Sequence, residues 1–403
     1  MGGFDYKMIT LVSPNEHGIL EHAGDRPNLG LLYLSAALKA NGVKHRVFDL
    51  NHLDTGILLC DLSVVKPEVI GVTYLAPTEL QMQQFIRQAK VMSPSTHFIA
   101  GGIQVTNKPG RTWADSEISG PGESALLNFL EDTSHFETFD INRYPIPNRE
   151  AVDMKKYGYK LEGLPATTMI TSRGCPNLCA FCSVPEKKQS RRSLDNIAEE
   201  LDQIKSMGFQ AVHFYDDSFA VSKEHAMRVT EQMAKRGLKY RVELRANHID
   251  DELAKQLGQT GCLVAALGIE SGDDYVLSRC SKSSNTDYAR QAIMRLTLNG
   301  VKTKGFFMIG LPGETEDSAR RTIQFADELK HLGLNYADFY PLMPFDGSPI
   351  KKTPEKYGIR ILERDTTKYC NGGKELYVPT ETEKLSQAKI KELLTEARSR
   401  WKS

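Results

Sequence analysis

Strand-like and helix-like segments alternate along this chain in two separate series, and no other feature restricts its fold as much. In the first series "KMITLVS" and "PEVIGVTY" are short apolar runs suited to buried strands. "LGLLYLSAALKANG" repeats apolar residues at helical spacing and stops at Gly42, a helix-ending residue. "HRVFDL" and "THFIAGG" read as further strands, and Thr78–Met92 as a polar-faced helix. "SEIS" then leads through "GPGE" to the helix "SALLNFLED". Such alternation predicts a parallel sheet covered by helices on both faces. Residues 136–165 carry prolines and no steady period, as a linker packed across a domain surface would. The second series has six strands, "ATTMITS", "AVHFYDD", "YRVELRA", "LVAALGIE", "TKGFFMIG" and "NYADFYP", with helices such as Leu194–Met207 and Thr315–Leu332 between them. Six strands predict a partial (β/α) barrel of the TIM type, whose chemistry collects at the strands' carboxyl ends. The expected architecture is α/β: a doubly wound Rossmann-like domain over 1–135, the linker, the partial barrel over 166–345, and an irregular then helical extension over 346–403.

Lys+Arg and Asp+Glu both number 51, so no net charge draws the chain to nucleic acid or an anionic membrane. The basic pairs Lys187–Lys188 and Arg191–Arg192 are short and suit a solvated helix entrance. No stretch has the length and apolarity of a transmembrane helix, and the N-terminus lacks the layout of a secretory signal. A cytoplasmic protein without nucleic-acid or membrane partners is expected. Its seven cysteines are too few and too unevenly spaced for a disulfide framework.

Three of the seven, Cys175, Cys179 and Cys182, crowd into "TSRGCPNLCAFCSVPE", directly after the first barrel strand. The spacing is C-x3-C-x2-C within one loop. Soft thiolates suit the iron of a [4Fe–4S] cube. Three of them leave one iron without a protein ligand and open to a substrate. A structural zinc site is the competing reading, but it needs four ligands and no fourth Cys or His lies at usual spacing. Cys262, Cys280 and Cys370 are scattered; they read as buried thiols, with an auxiliary cluster as the alternative.

This loop, including Phe181 before the third cysteine, resembles the signature of the radical S-adenosylmethionine (SAM) superfamily. The resemblance implies that the open iron chelates SAM and that an electron cleaves it to methionine and a 5′-deoxyadenosyl radical, the electron coming from an external donor such as flavodoxin or ferredoxin. It also implies SAM contacts at later strand ends. These are Asp216, Asp217 and Ser218 in "FYDDSF" for the ammonium, Glu270 and Ser271 in "LGIESG" for the ribose, and Ile309 and Gly310 in "GFFMIGLPGET" for the adenine.

The first series resembles, segment by segment, the cobalamin-binding domain of one radical SAM subclass. "DRPNLGLLYLSAALKANG", "GVTYLAPT", "AGGIQVTNKP" and "SGPGESALLNFLED" carry the likeness, and "YPIPNRE" resembles that subclass's inter-domain join. The resemblance implies cobalamin contacts at Leu29, Gly30, Thr73, Tyr74, Gly101, Gly102, Gly120, Gly122 and Glu123. Independently, open α/β sheets bind ligands outside their strands' carboxyl ends, where glycines bare the backbone. The D-x-H-x-x-G motif that supplies a lower axial His in other corrin proteins is absent, although His17 and His22 lie in the corresponding loop.

The reaction expected from these resemblances is cobalamin-dependent methylation of an unactivated carbon in a small molecule or peptide. Glu243, Arg245, Asp338 and Tyr340, at later strand ends, are the candidate substrate-facing groups. Two alternatives stand beside it: a non-methylating radical SAM reaction such as cyclisation, ring contraction or C–C bond formation, and a non-catalytic metal-binding module. A methylthiotransferase fits less well, because the first half lacks the cysteine set those enzymes use for a second cluster.

Overall fold

The first series folds into a five-stranded parallel sheet of β1 (Ile9–Ser13), β2 (His45–Asp49), β3 (Val69–Thr73), β4 (His97–Gly101) and β5 (Ser116–Glu117). The computed structural model describes residues 8–17, 19, 24–131, 140–369 and 376–401. Strand order is β2-β1-β3-β4-β5, the flavodoxin-like order, in which the direction of winding reverses between β1 and β3. Helices α1 (Leu29–Ala40), α2 (Thr55–Val65), α3 (Glu79–Met92), α4 (Ile103–Asn107) and α5 (Gly122–Glu131) connect the strands or follow them. Leu31, Leu38, Leu126 and Leu130 of α1 and α5 pack on one sheet face with Ile9, Leu11 and Ile99. Leu58, Leu62, Met82, Phe85 and Ile86 of α2 and α3 cover the other, against Val12, Ile70, Val72 and Phe98. Helix α2 is absent from the sequence expectation, because its apolar residues run almost continuously and show no period. Its start is nonetheless marked by Asp54, whose side chain caps Gly56 N (2.8 Å) and Ile57 N.

The chain divides into two compact units, Met1–Tyr159 with Asp365–Glu375, and Lys160–Arg364 with Leu376–Ser403. Of the expected linker at 136–165, the described residues 140–159 fall in the first unit and 160–165 in the second. The part at 140–159 forms short 3-10 turns that pack on the first unit. Asn148 donates its N–H to Leu32 O (3.0 Å) and its amide to Ser35 Oγ (2.9 Å), while the Tyr157 hydroxyl donates to Asp49 (2.9 Å). Part of the expected C-terminal extension also belongs here: the turn Thr366–Lys368 packs on the turn Ala76–Thr78 after β3.

In the second unit a hairpin of β6 (Lys160–Leu161) and β7 (Leu164–Met169) opens a curled sheet. A two-strand neck follows, β8 (Ser172–Arg173) with β9 (Ser190–Arg191). The barrel strands β10 (Ala211–Phe214), β11 (Lys239–Leu244), β12 (Cys262–Glu270), β13 (Lys302–Ile309) and β14 (Tyr336–Pro341) then run parallel to β7 in the order β14-β13-β12-β11-β10-β7-β6. Between them lie α6 (Leu194–Ser206), α7 (Lys223–Arg236), α8 (Asp251–Thr260), α9 (Asp274–Arg279), α10 (Thr286–Leu298) and α11 (Glu316–His331). The expected six barrel strands are all present.

Strand alternation sorts β13 into two sets: Thr303, Gly305, Phe307 and Ile309 are buried toward the helices, and Lys304, Phe306 and Met308 are half-buried on the inner face. The turn between β6 and β7 also ties the two sheet edges at their amino end. There Glu162 pairs with Lys302 of β13 and accepts a hydrogen bond from Tyr336 of β14 (3.3 Å). After α12 (Pro349–Lys352) and the antiparallel pair β15 (Ile359–Ile361) and β16 (Thr380–Thr382), α13 (Gln387–Arg400) buries Ile390, Leu393, Leu394 and Ala397 in the barrel's own core. Among the described residues no helix is long and apolar enough to cross a membrane.

Candidate active site

The three clustered cysteines occupy the loop closed by the β8–β9 neck, at the carboxyl end of β7. Inside the neck Cys175 N donates to Glu186 O (2.9 Å). Gly174 has φ +91°, and an added Cβ would overlap the Lys188 carbonyl oxygen, so only glycine fits. Ala180 anchors the loop's middle, donating to Cys280 O (2.9 Å) and accepting from Ile350 N (3.0 Å). Its methyl group and Phe181 pack with Val276 of α9 and with Leu311 and Leu342 from the loops after β13 and β14. Cys175 and Cys179 are buried, Cys182 is half-buried, and all three are free thiols. Asn177 Nδ2 donates to Cys175 Sγ (3.2 Å) and Arg245 Nη1 to Cys179 Sγ (3.2 Å).

The loop's root is held by groups from two neighbouring elements. Asp216, just past β10, is 4% exposed and accepts from Thr171 N (2.6 Å), Ser172 N (3.2 Å) and both residues' hydroxyls. A carboxylate offers about four acceptor positions, so this one is fully engaged by the loop. Burial outweighs those bonds and pushes its pKa up to about 6. Asp217 accepts from Gly174 N (2.8 Å), and the buried Ser218 hydroxyl has no partner. From the other side Arg192 donates its N–H to Thr171 O (2.9 Å) and Nη1 to Ile170 O (2.7 Å). It also forms a buried ion pair with Glu200 of α6.

Two further strand ends complete the rim. Glu270 closes β12 in a left-handed conformation (φ +70°), uncommon for a side chain this size, and pairs with buried Lys282 (2.7 Å). The Lys282 ammonium lies 5.9 Å from the Phe181 ring centroid. Ser271 is within hydrogen-bond distance of Thr322 Oγ1 (3.1 Å) and accepts from Asp273 N (3.2 Å), which makes its hydroxyl part of the turn. Ile309 lies wholly in the core. Gly310 N (2.5 Å) and Leu311 N (3.2 Å) donate to one oxygen of Glu314, whose other oxygen is buried without a partner; burial pushes this carboxyl to a pKa of about 8. Glu314 lies within "GFFMIGLPGET", where an acid after a Gly-rich turn carries no local mark of its bond back to the strand end. Lys282 lacked any sequence signal, since its partner is twelve residues away across a helix.

The substrate-facing candidates separate into three places. Glu243 on β11 meets His213 of β10 (3.1 Å) and Arg241 (2.7 Å). Tyr340 donates to Asp338 on β14 (3.0 Å), which also pairs with Lys304 of β13 (2.6 Å). Arg245 stands apart from both groups, on Cys179. Of the other cysteines, Cys262 and Cys280 are buried and single, and burial holds both thiols well above the usual range. Cys370 lies outside the described residues.

In the first unit the nine cobalamin candidates line the carboxyl edge of the sheet, around the β1/β3 reversal. Leu29 and Gly30 open α1; Thr73 ends β3; Gly101 ends β4 and Gly102 follows it; Gly120 and Gly122 precede or open α5. Gly120 has open space where a Cβ would stand, so bare backbone is offered there. Tyr74 and Glu123 point the other way in one respect: both are buried, Tyr74 completely, so neither side chain lies at the surface. His17 binds the Asn51 carbonyl (3.1 Å), and His22 lies outside the described residues.

The donor set suits an iron–sulfur cluster. Among the described residues no three Cys, His, Asp or Glu converge where a single ion could sit, and the cysteine loop lacks the fourth ligand of a closed zinc site. Three thiols on one loop, two of them already receiving N–H groups, match a larger thiolate-bound body. Arg245, 6% exposed, has Nε and Nη2 without partners among the described residues, which calls for an anionic acceptor beside Cys179. For cobalamin the observation is the glycine-lined carboxyl edge at the reversal of winding, with open space at Gly120.

Comparison with known proteins agrees. Residues 169–326 match the Radical SAM superfamily and residues 18–130 match the B12 binding domain. An uncharacterised methyltransferase of Pyrococcus horikoshii is 25% identical over 382 residues, 85% of this chain and 82% of that one. The anaerobic magnesium-protoporphyrin IX monomethyl ester cyclase of Rubrivivax gelatinosus is 24% identical, over 90% of this chain and 72% of its own. Among solved structures the radical SAM methyltransferase TsrM of Kitasatospora setae, with cobalamin and a [4Fe-4S] cluster bound, is similar in fold. Its TM-score is 0.74 at 18% identity, over 96% of this chain and 85% of that one.

Proposed function

Because this chain belongs to the radical SAM superfamily, among the members whose barrel follows a B12-binding domain, we propose that it methylates an unactivated carbon of a small molecule or peptide. When bound, the [4Fe–4S] cluster, SAM and cobalamin supply one-electron radical generation and a transferable methyl group. The observation that carries the reading is the three-thiol loop rooted at the carboxyl end of β7, in a chain whose other unit presents a glycine-lined sheet edge. Methyltransferase names among the relatives support it.

In this reading Cys175, Cys179 and Cys182 hold the cluster as thiolates. Asp216 and Arg192 keep the loop's root in place. Asp217 and the unpartnered Ser218 hydroxyl receive the SAM ammonium, for which acceptors near a cation are suited. Glu270, held by Lys282, meets the ribose, and the Gly310 turn braced by Glu314 meets the adenine. The inner-face groups His213, Glu243, Asp338 and Tyr340 orient the substrate through hydrogen bonds. Leu29, Gly30, Thr73, Gly101, Gly102, Gly120 and Gly122 carry the corrin. An external one-electron donor of the flavodoxin or ferredoxin kind completes the system.

A cyclisation is the second reading, favoured by the cyclase that spans 90% of this chain. Product mass separates the two: methylation adds one CH2 unit, and cyclisation does not. Replacing the three cysteines by serine should abolish iron binding and the reductive cleavage of SAM. A triple variant that keeps both would defeat the proposal.

A further inference from the structure

Arg245 emerges from the end of β11 on the same face as Arg241 and Glu243, because side chains two residues apart share a face. That alternation places it among substrate-facing groups. Its contacts place it elsewhere. Nη1 donates to Cys179 Sγ (3.2 Å), while Nε and Nη2 are buried with no partner, in a side chain nine-tenths or more shielded from water. Carboxylates on β11 and at the end of β12 are taken: Glu243 by Arg241 and His213, and Glu270 by Lys282. A guanidinium cannot lose its proton in a protein, so its charge persists in this site. An unpaired buried charge is costly, and the described residues supply no anion for it.

The surroundings add to the positive field. Burial, with Arg245 and then Lys282 nearby, lowers the pKa of His248 to about 4, which places both cations in one neighbourhood and leaves the imidazole neutral. The buried His248 Nδ1 also lacks a partner. A thiolate-bound iron–sulfur cluster is an anion whose negative charge grows by one on reduction. Hydrogen bonds to its sulfurs and nearby charges set its potential, and in a water-poor site they act strongly.

Resting on the cluster assignment above, we propose that Arg245 is a positioning residue for the cluster: it hydrogen-bonds the Cys179 thiolate and, with its fixed charge, makes the cluster easier to reduce. The remaining N–H groups take an anionic acceptor, which can be a sulfide of the cluster or the carboxylate of SAM. The two sources share one chemistry and are separable by experiment.

The test uses the full-length protein, reconstituted anaerobically with iron and sulfide. Wild type, Arg245→Met and Arg245→Lys are titrated with dithionite and followed by electron paramagnetic resonance, first without SAM and then with it. Arg245→Met should need a lower potential, reducing about tenfold less cluster at a fixed setting, equivalent to about 59 mV for one electron. Arg245→Lys, which keeps the charge without the fork geometry, should fall between. A shift present without SAM assigns the acceptor to the cluster; a further shift confined to the SAM-bound samples assigns part of it to the carboxylate. A role limited to folding would lower iron content and melting temperature without moving the midpoint of the cluster that remains. Should Arg245→Met fail to load, the Arg245→Lys midpoint decides. Wild-type midpoints in the loaded variants overturn the proposal. A wild-type protein that holds no iron defeats the cluster assignment itself, a different outcome.

Discussion

Replacing Gly174 by alanine tests the argument that the cysteine loop is shaped by a single left-handed residue at its neck. Two costs add. At φ +91° a Cβ meets backbone strain of roughly 1–2 kcal/mol. The same Cβ overlaps the Lys188 carbonyl oxygen and stands 3.1 Å from its carbon and 3.2 Å from Glu186 Cβ, so the chain leading into β9 must move, at roughly 1–3 kcal/mol for overpacking. The sum, about 2–5 kcal/mol, falls on a neck of two residue pairs rather than on the barrel sheet. At 1.4 kcal/mol per factor of ten, cluster loading should fall by roughly one and a half to three and a half powers of ten. Gly208 provides the control: its φ is +88° but nothing lies within 4 Å of a Cβ there, so Gly208→Ala carries the strain without the overlap. The assay is iron and sulfide per chain after anaerobic reconstitution, with thermal unfolding of both variants. If Gly174→Ala loads iron like wild type and melts no lower than Gly208→Ala, the steric reasoning is wrong.

Two other outcomes follow from buried carboxyls. Glu314 is protonated in the folded state up to about pH 8 but ionises near its ordinary value when unfolded, so folding takes up a proton between those limits. Its contribution to stability is present at low pH and is lost as pH rises from about 4.5 to 8. Denaturant titrations across that range should therefore show Glu314→Gln gaining on wild type, and parallel pH profiles would refute the account. Glu200→Gln leaves Arg192 buried without its counter-charge and should destabilise the barrel by about 3–5 kcal/mol, with lower iron loading because Arg192 also braces Ile170 and Thr171. A change under 1 kcal/mol in urea unfolding would show that the pair is dispensable.

Much of the architecture was legible because burial patterns leave periodic marks. Six apolar strands spaced by amphipathic helices announced the barrel, and each appears close to its expected bounds. The cysteine spacing marked its loop with equal clarity, since three thiols in eight residues have few other uses. For the linker, prolines and absent periodicity describe a segment without regular structure that packs across a domain surface, but not which groups it meets there. Asn148 and Tyr157 bind to the first unit through single side chains that no pattern predicts.

The site shows the same division more sharply. Asp216 and Asp217 are adjacent in one motif, yet one spends its carboxylate on four donors of the cysteine loop and the other meets a single N–H. Alternation along β11 put Arg245 beside Glu243, whereas its reach past the strand end delivers it to Cys179. Sequence alone determined the element types, their order and the thiol triad, because these depend on local spacing along the chain. Only the tertiary structure decided which charges meet, since a partner forty-five or sixty-six residues away is chosen by how strands stack and leaves no local trace.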